Sequence, residues 1–169
     1  MQARSARLYG LLGAGVTLAF FGHGVLGAKG EEKFVGLVTG TYDKVLGGAM
    51  STDTATSIVN VIGWIDITLA VVFLGLTVAA VMRKEIAYSP LAMYLFGWAM
   101  LWGFVTALSR FTAELNGKQI WDVVERGPNF LLPAGLVYLI YRARQTPAPA
   151  AREERKESRG IRGTPVPTA

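Results

Sequence analysis

The chain has 169 residues, 17 Lys and Arg against 12 Asp and Glu for a formal net charge of +5, one histidine and no cysteine. Without cysteine, disulfides, thiol redox chemistry, iron-sulfur clusters and Cys-based zinc sites are excluded within the chain, and a bis-histidine haem would need a second chain. The charges are segregated rather than dispersed, so the net charge reports on membrane topology, and a nucleic-acid partner is not expected.

The first segment, Leu8 to Ala28, carries no Asp, Glu, Lys or Arg. A helix rising about 1.5 Å per residue needs roughly 20 apolar residues to cross a bilayer, so residues 7–28 form the first predicted spanning helix. A secretory signal is the competing reading, because Arg4 and Arg7 precede the run. Its length and the presence of His23 favour a retained helix. Gly15, Ala19 and Gly22 are spaced to share the face of His23, which predicts a small-residue stripe packed against another helix with the imidazole turned inward.

Between the first two spans, Glu31 and Glu32 stand ahead of Phe34, Val38, Tyr42 and Val45 at helical spacing. Lys44 follows near the end, and Gly47-Gly48 is the stop. This pattern suits both ends of the helix macrodipole and predicts a short amphipathic helix on the outer face.

The second spanning helix, 56–82, has several candidate caps in Ser51-Thr52-Asp53-Thr54 and holds one charge between Ser57 and Met82, Asp66. A lone carboxylate near mid-bilayer costs roughly 2.5 to 3.5 kcal/mol on insertion scales, so it must face the bundle, be paired or be protonated. Gly63 and Ala70 share its face and allow a neighbouring helix to approach.

Ser89-Pro90 opens the third spanning helix, 89–109, with a capping hydroxyl ahead of a first-position proline. Trp98, Trp102, Thr106 and Arg110 follow a slowly drifting face. In the second outer loop Ile120, Trp121, Val123 and Val124 alternate with charges, a composition suited to an interfacial helix with Trp121 in the aromatic belt. The fourth span, 120–143, reaches bilayer length only if it begins near Gln119 or Ile120 and runs past Arg142. Gly127-Pro128 either opens it or kinks a helix begun earlier. Residues 146–169 change to Pro, Ala, Arg and Glu and are expected to form a disordered basic tail.

These elements predict an all-α fold: an integral membrane four-helix bundle over residues 1–145, with short interfacial helices in the two outer loops. Arg4, Arg7, Arg83, Lys84 and the basic carboxyl tail outnumber the cations of the opposite side, which assigns both termini to the cytoplasm.

His23 and Asp66 are the candidate chemical groups, since both can hold or move a proton. Trp64, Trp102, Arg110, Glu125 and Asn129 are the candidate cofactor contacts, and a cluster of Arg110, Glu125, Arg126 and Asn129 is expected near His23. No phosphate-cradling loop, HExxH, nucleophile elbow or paired metal spacing is present, so no metal site is expected.

Three phrases carry a family resemblance: Gly22-His23-Gly24 with Lys29 after it, Gly63-Trp64-Ile65-Asp66-Ile67, and Glu125-Arg126-Gly127-Pro128-Asn129. On these the chain resembles, over roughly residues 7–142, the DoxX-like family of small four-helix membrane proteins. In that family the first helix often ends in His-Gly with a lysine shortly after, and the second carries Gly-x-x-Glu. Here the lysine is displaced and Asp66 replaces the glutamate. The resemblance implies a membrane oxidoreductase setting, with a quinone as cofactor and a second membrane or soluble redox subunit as partner. Two other readings stay open: an oligomeric carrier for a small solute or proton, which four helices achieve by forming a homo-oligomer, and a scaffold holding a soluble enzyme at the lipid bilayer.

Overall fold

The computed structural model describes residues 3–113 and 119–145. The expected disordered tail lies outside the described residues. Among those described, the ordered elements are all helical: α1 (Ala3–Ala28), α2 (Glu32–Leu46), α3 (Thr52–Val81), α4 (Pro90–Ala113), α5 (Gln119–Glu125) and α6 (Gly127–Gln145), with a 3-10 turn at Glu85–Tyr88 between α3 and α4.

Local chemistry sets the ends of these helices. The Ser51 hydroxyl accepts from the Thr54 amide at 3.2 Å and Ser89 does the same for Ala92 at 3.2 Å, so each satisfies one of the orphan donors of a first turn. At the end of α2, Gly47 takes a left-handed conformation (φ 69°) and returns its amide to the Asp43 carbonyl. Glycine adopts that region without steric cost, which explains why the helix stops there.

Three helices, α1, α3 and α4, are long and apolar enough to cross a membrane. Their outward faces are apolar too, with Leu11, Leu18, Trp64, Val71 and Tyr94 all exposed. An exposed apolar surface of this extent fits a lipid environment rather than water.

Lipid tails are as apolar as leucine, so helices in a bilayer associate through close packing rather than through the hydrophobic effect. The tightest seam here joins α1 to α3. Gly63 of α3 lies against Gly24, Gly27 and Ala28, such that a Cβ added at Gly63 would run into the α1 backbone. The expected stripe is thus displaced. Gly15 packs under Leu132 of α6, but Gly22 is exposed with nothing near it, and Gly24 and Gly27 carry the close approach. The imidazole of His23 stays on the inner side because Ala19, four residues before it, and Gly27, four residues after it, share its face.

A second seam joins α4 to α6, where Gly103 meets the backbone of Asn129 and Phe130. Pro133 has no amide hydrogen to give the Asn129 carbonyl four residues earlier. That oxygen turns instead to α4, where the missing side chain of Gly103 leaves room for it. Of the two expectations for Gly127-Pro128, the chain follows the first: this pair opens a new helix, and the stretch 120–143 is divided between two helices. α5 ends at Glu125, Arg126 forms the turn with its amide bonded to the Val123 carbonyl (3.1 Å), and α6 starts at Gly127 ahead of Pro128.

The half of the molecule that holds the start of α1 and the end of α6 is solid. Tyr9, Phe20, Phe73, Phe96, Leu136 and Ile140 fill it, with Phe73 stacked on Phe96 at 5.0 Å. Tyr9 donates from its hydroxyl to the Ala87 carbonyl at 2.9 Å and packs edge-on against Tyr88 and Phe96, tying α1 to the 3-10 turn. Replacing Tyr9 by Phe should lower stability by about 1 kcal/mol, the net worth of one such bond. Thermal unfolding in detergent reads this as a depressed midpoint; an unchanged midpoint would show that the bond carries no net weight.

Candidate functional site

The opposite half is hollow. A cavity of about 420 Å³ opens among α1, α2, α3, α4 and the α5–α6 turn, a volume suited to a small organic ligand. α2 forms its roof. Phe34, Val38, Tyr42 and Val45, the residues spaced along the apolar stripe of this helix, all line the cavity, so the stripe faces inward. Val35, together with Phe34 and Val38, packs on Ala55 and Val59 at the start of α3, and Thr41 shares a 2.8 Å hydroxyl hydrogen bond with Thr112 at the end of α4. The roof is thereby pinned to both α3 and α4.

Five of the seven candidate residues meet in this space: His23, Asp66, Trp102, Arg110 and Asn129. Trp64 does not; it is 63% exposed on the far side of α3. Glu125 is also exposed and does not line the cavity. Asp66 lies fifteenth along the 30-residue α3 and is buried, 7% exposed, with the Trp102 side chain beside it. The Trp102 ring in turn stacks on Trp98 at 6.1 Å with planes 11° apart, which holds its edge toward the acid.

The sharpest contact joins residues 103 positions apart. The Arg126 guanidinium Nη1 lies 2.5 Å from Nε2 of His23. Guanidinium nitrogens only donate, so Nε2 must accept and the ring proton sits on Nδ1. This is a neutral imidazole held in one tautomer. Phe34 braces the ring edge-on at 5.9 Å, and Arg110, 8% exposed, brings a second positive charge close by. The loop sequence placed Arg126 in the neighbourhood, but nothing in it indicates the direct bond. Phe34, read only as part of an amphipathic stripe, is a further site residue that the sequence did not single out.

Chemically, the cavity presents two guanidinium groups and a neutral imidazole toward its α5–α6 side and a carboxyl group on α3. The walls between are apolar. Such a set can hold an oxygen-bearing head group by donated hydrogen bonds and keep protonatable groups beside it. No group of three or more metal-binding side chains occurs among the described residues. Comparison with family models, with curated proteins and with solved structures finds no match to this chain. The site's own geometry therefore carries the functional reading.

Proposed function

We propose that this chain is a four-helix integral membrane protein of DoxX-like type that binds a quinone in the cavity beneath α2, as a small subunit of a membrane redox system. The observation that carries the reading is the juxtaposition of Arg126-bonded His23, Arg110, and Asp66 beside Trp102 around one apolar-walled space at membrane depth. In this arrangement α6 is the fourth span. Its 19 residues extend roughly 28 Å, close to the thickness of the hydrocarbon layer. The termini lie in the cytoplasm on the count of Lys and Arg, and α2 and α5 lie at the outer interface.

The residues present fit a quinone. The guanidinium groups of Arg126 and Arg110 would donate to a carbonyl oxygen, the indole of Trp102 would offer a flat wall, and the α2 stripe would exclude water above. A bound quinone supplies two-electron, two-proton chemistry. His23 and Asp66 are the chain's own groups able to hold or pass the accompanying protons, with Arg126 fixing which nitrogen of His23 carries hydrogen.

The test is a titration of the purified protein with a water-soluble quinone analogue, followed by quenching of tryptophan fluorescence. Wild-type protein should bind saturably, and a double variant with Asp66→Asn and His23→Ala should lose that binding while keeping its helical circular dichroism. Equal binding by the double variant would remove these residues from the site.

A further inference from the structure

α3 and α4 stand side by side along the bundle with almost no close backbone approach. In the solid half the gap is closed by the Phe73–Phe96 stack. In the hollow half the corresponding α3 residues are Ile62, Gly63 and Asp66, none of them aromatic, and the Trp102 indole of α4 stands opposite Asp66. The cavity consequently reaches the molecular surface along this side, where lining residues are exposed: Val105 of α4 at 47% and Val45 of α2 at 61%, with Ile62 of α3 half-buried between them. Trp102, stacked on Trp98, lines the α4 side of the same space.

The polarity of the space is graded along this direction. Asp66 and Arg110 are buried in the space, whereas its exposed lining residues, Val45, Leu46 and Val105, are all aliphatic. A water-soluble solute would have to cross that apolar rim from within the bilayer or pass beneath α2, which is pinned to α3 and α4 by Val35 on Val59 and by Thr41 on Thr112.

We infer that the ligand is a long-tailed amphiphile taken from the bilayer through the slot between α3 and α4, its oxygen-bearing head inward and its tail lying between Ile62 and Val105. This deepens the quinone-site reading and rests on it. The slot determines which ligands enter: a head group alone gains nothing from it, whereas an isoprenoid tail buries apolar surface along its walls.

Two probes with the same head separate the ideas: menadione, which has no tail, and the same naphthoquinone carrying three isoprene units. Both are titrated against full-length protein in lipid nanodiscs. The tailed probe should bind wild-type protein at least about tenfold more tightly after correction for its lipid partitioning. Val105→Trp and Ile62→Trp, which narrow the slot from either side, should weaken or slow the tailed probe by about tenfold while changing menadione by less than about threefold. Val105→Ala, which removes bulk and is easily accommodated, should speed association of the tailed probe. If both probes bind and all three variants leave the tailed probe unchanged, the slot is not the route and the inference fails alone. If neither probe binds wild-type protein, the quinone site itself fails and takes the inference with it.

Discussion

Gly63→Ala is expected to be among the most damaging single substitutions in this protein, lowering stability by roughly 1–3 kcal/mol. The added Cβ meets the Gly27 carbonyl carbon, the Gly24 carbonyl oxygen and the Ala28 amide nitrogen, all of them backbone, so no side chain can rotate away. α1 and α3 must separate. Because Asp66 lies one turn along from Gly63 and His23 lies beside Gly24, the two sides of the cavity separate with them. Gly22→Ala is the matched control. It adds the same methyl group to α1 two residues from Gly24, but nothing lies within 4 Å of it. There the replacement of a mid-helix glycine should leave stability unchanged or raise it by up to about 1 kcal/mol. Unfolding in mixed detergent micelles compares the two; equal effects would mean that the α1–α3 seam does not depend on glycine.

The second large effect is expected at Arg126. Arg126→Leu removes the donor to Nε2 of His23 and one of the two guanidinium groups at the inner end of the cavity. A hydrogen bond involving a charged group is worth about 1.5–3 kcal/mol, so quinone affinity should fall by about tenfold or more. A nitrogen-15 spectrum of the imidazole reports the cause independently: wild-type protein should show the Nδ1–H tautomer, and the variant a mixture of the two. Arg126→Lys restores charge but not the planar fork, and should recover only part of the affinity. A Leu variant that binds as wild type, with its tautomer unchanged, would separate Arg126 from the site.

What could be read in the sequence follows from what a bilayer makes visible. Uncharged runs of about 20 residues marked α1, α3 and α4, and the capping hydroxyls of Ser51 and Ser89 and the glycine at position 47 act through local backbone chemistry. The lone acid Asp66 was conspicuous because a carboxylate is costly in oil. Which face of a spanning helix turns inward was much less legible. In water the buried face is the apolar one, but in lipid both faces are apolar. That is why Trp64 and Trp102 look equivalent in sequence, although one faces outward and the other lines the cavity beside Asp66. It is also why the stripe of Gly15, Ala19 and Gly22 resembled a seam that Gly24 and Gly27 form. The break between α5 and α6 was marked locally by Gly127-Pro128, but the approach of the Asn129 carbonyl to Gly103 and the bond between His23 and Arg126, 103 positions apart, are long-range. Neither leaves a local trace.

The most direct measurement of the central claim is native mass spectrometry of the full-length protein, gently solubilised from the membranes in which it is made. A cavity of about 420 Å³ with donor groups inside and an aliphatic rim predicts wild-type protein carrying one retained lipid-soluble, oxygen-bearing molecule of quinone mass, absent from the Asp66→Asn, His23→Ala double variant. Wild-type protein that emerges bare, and stays bare after loading with quinone in detergent, would contradict it.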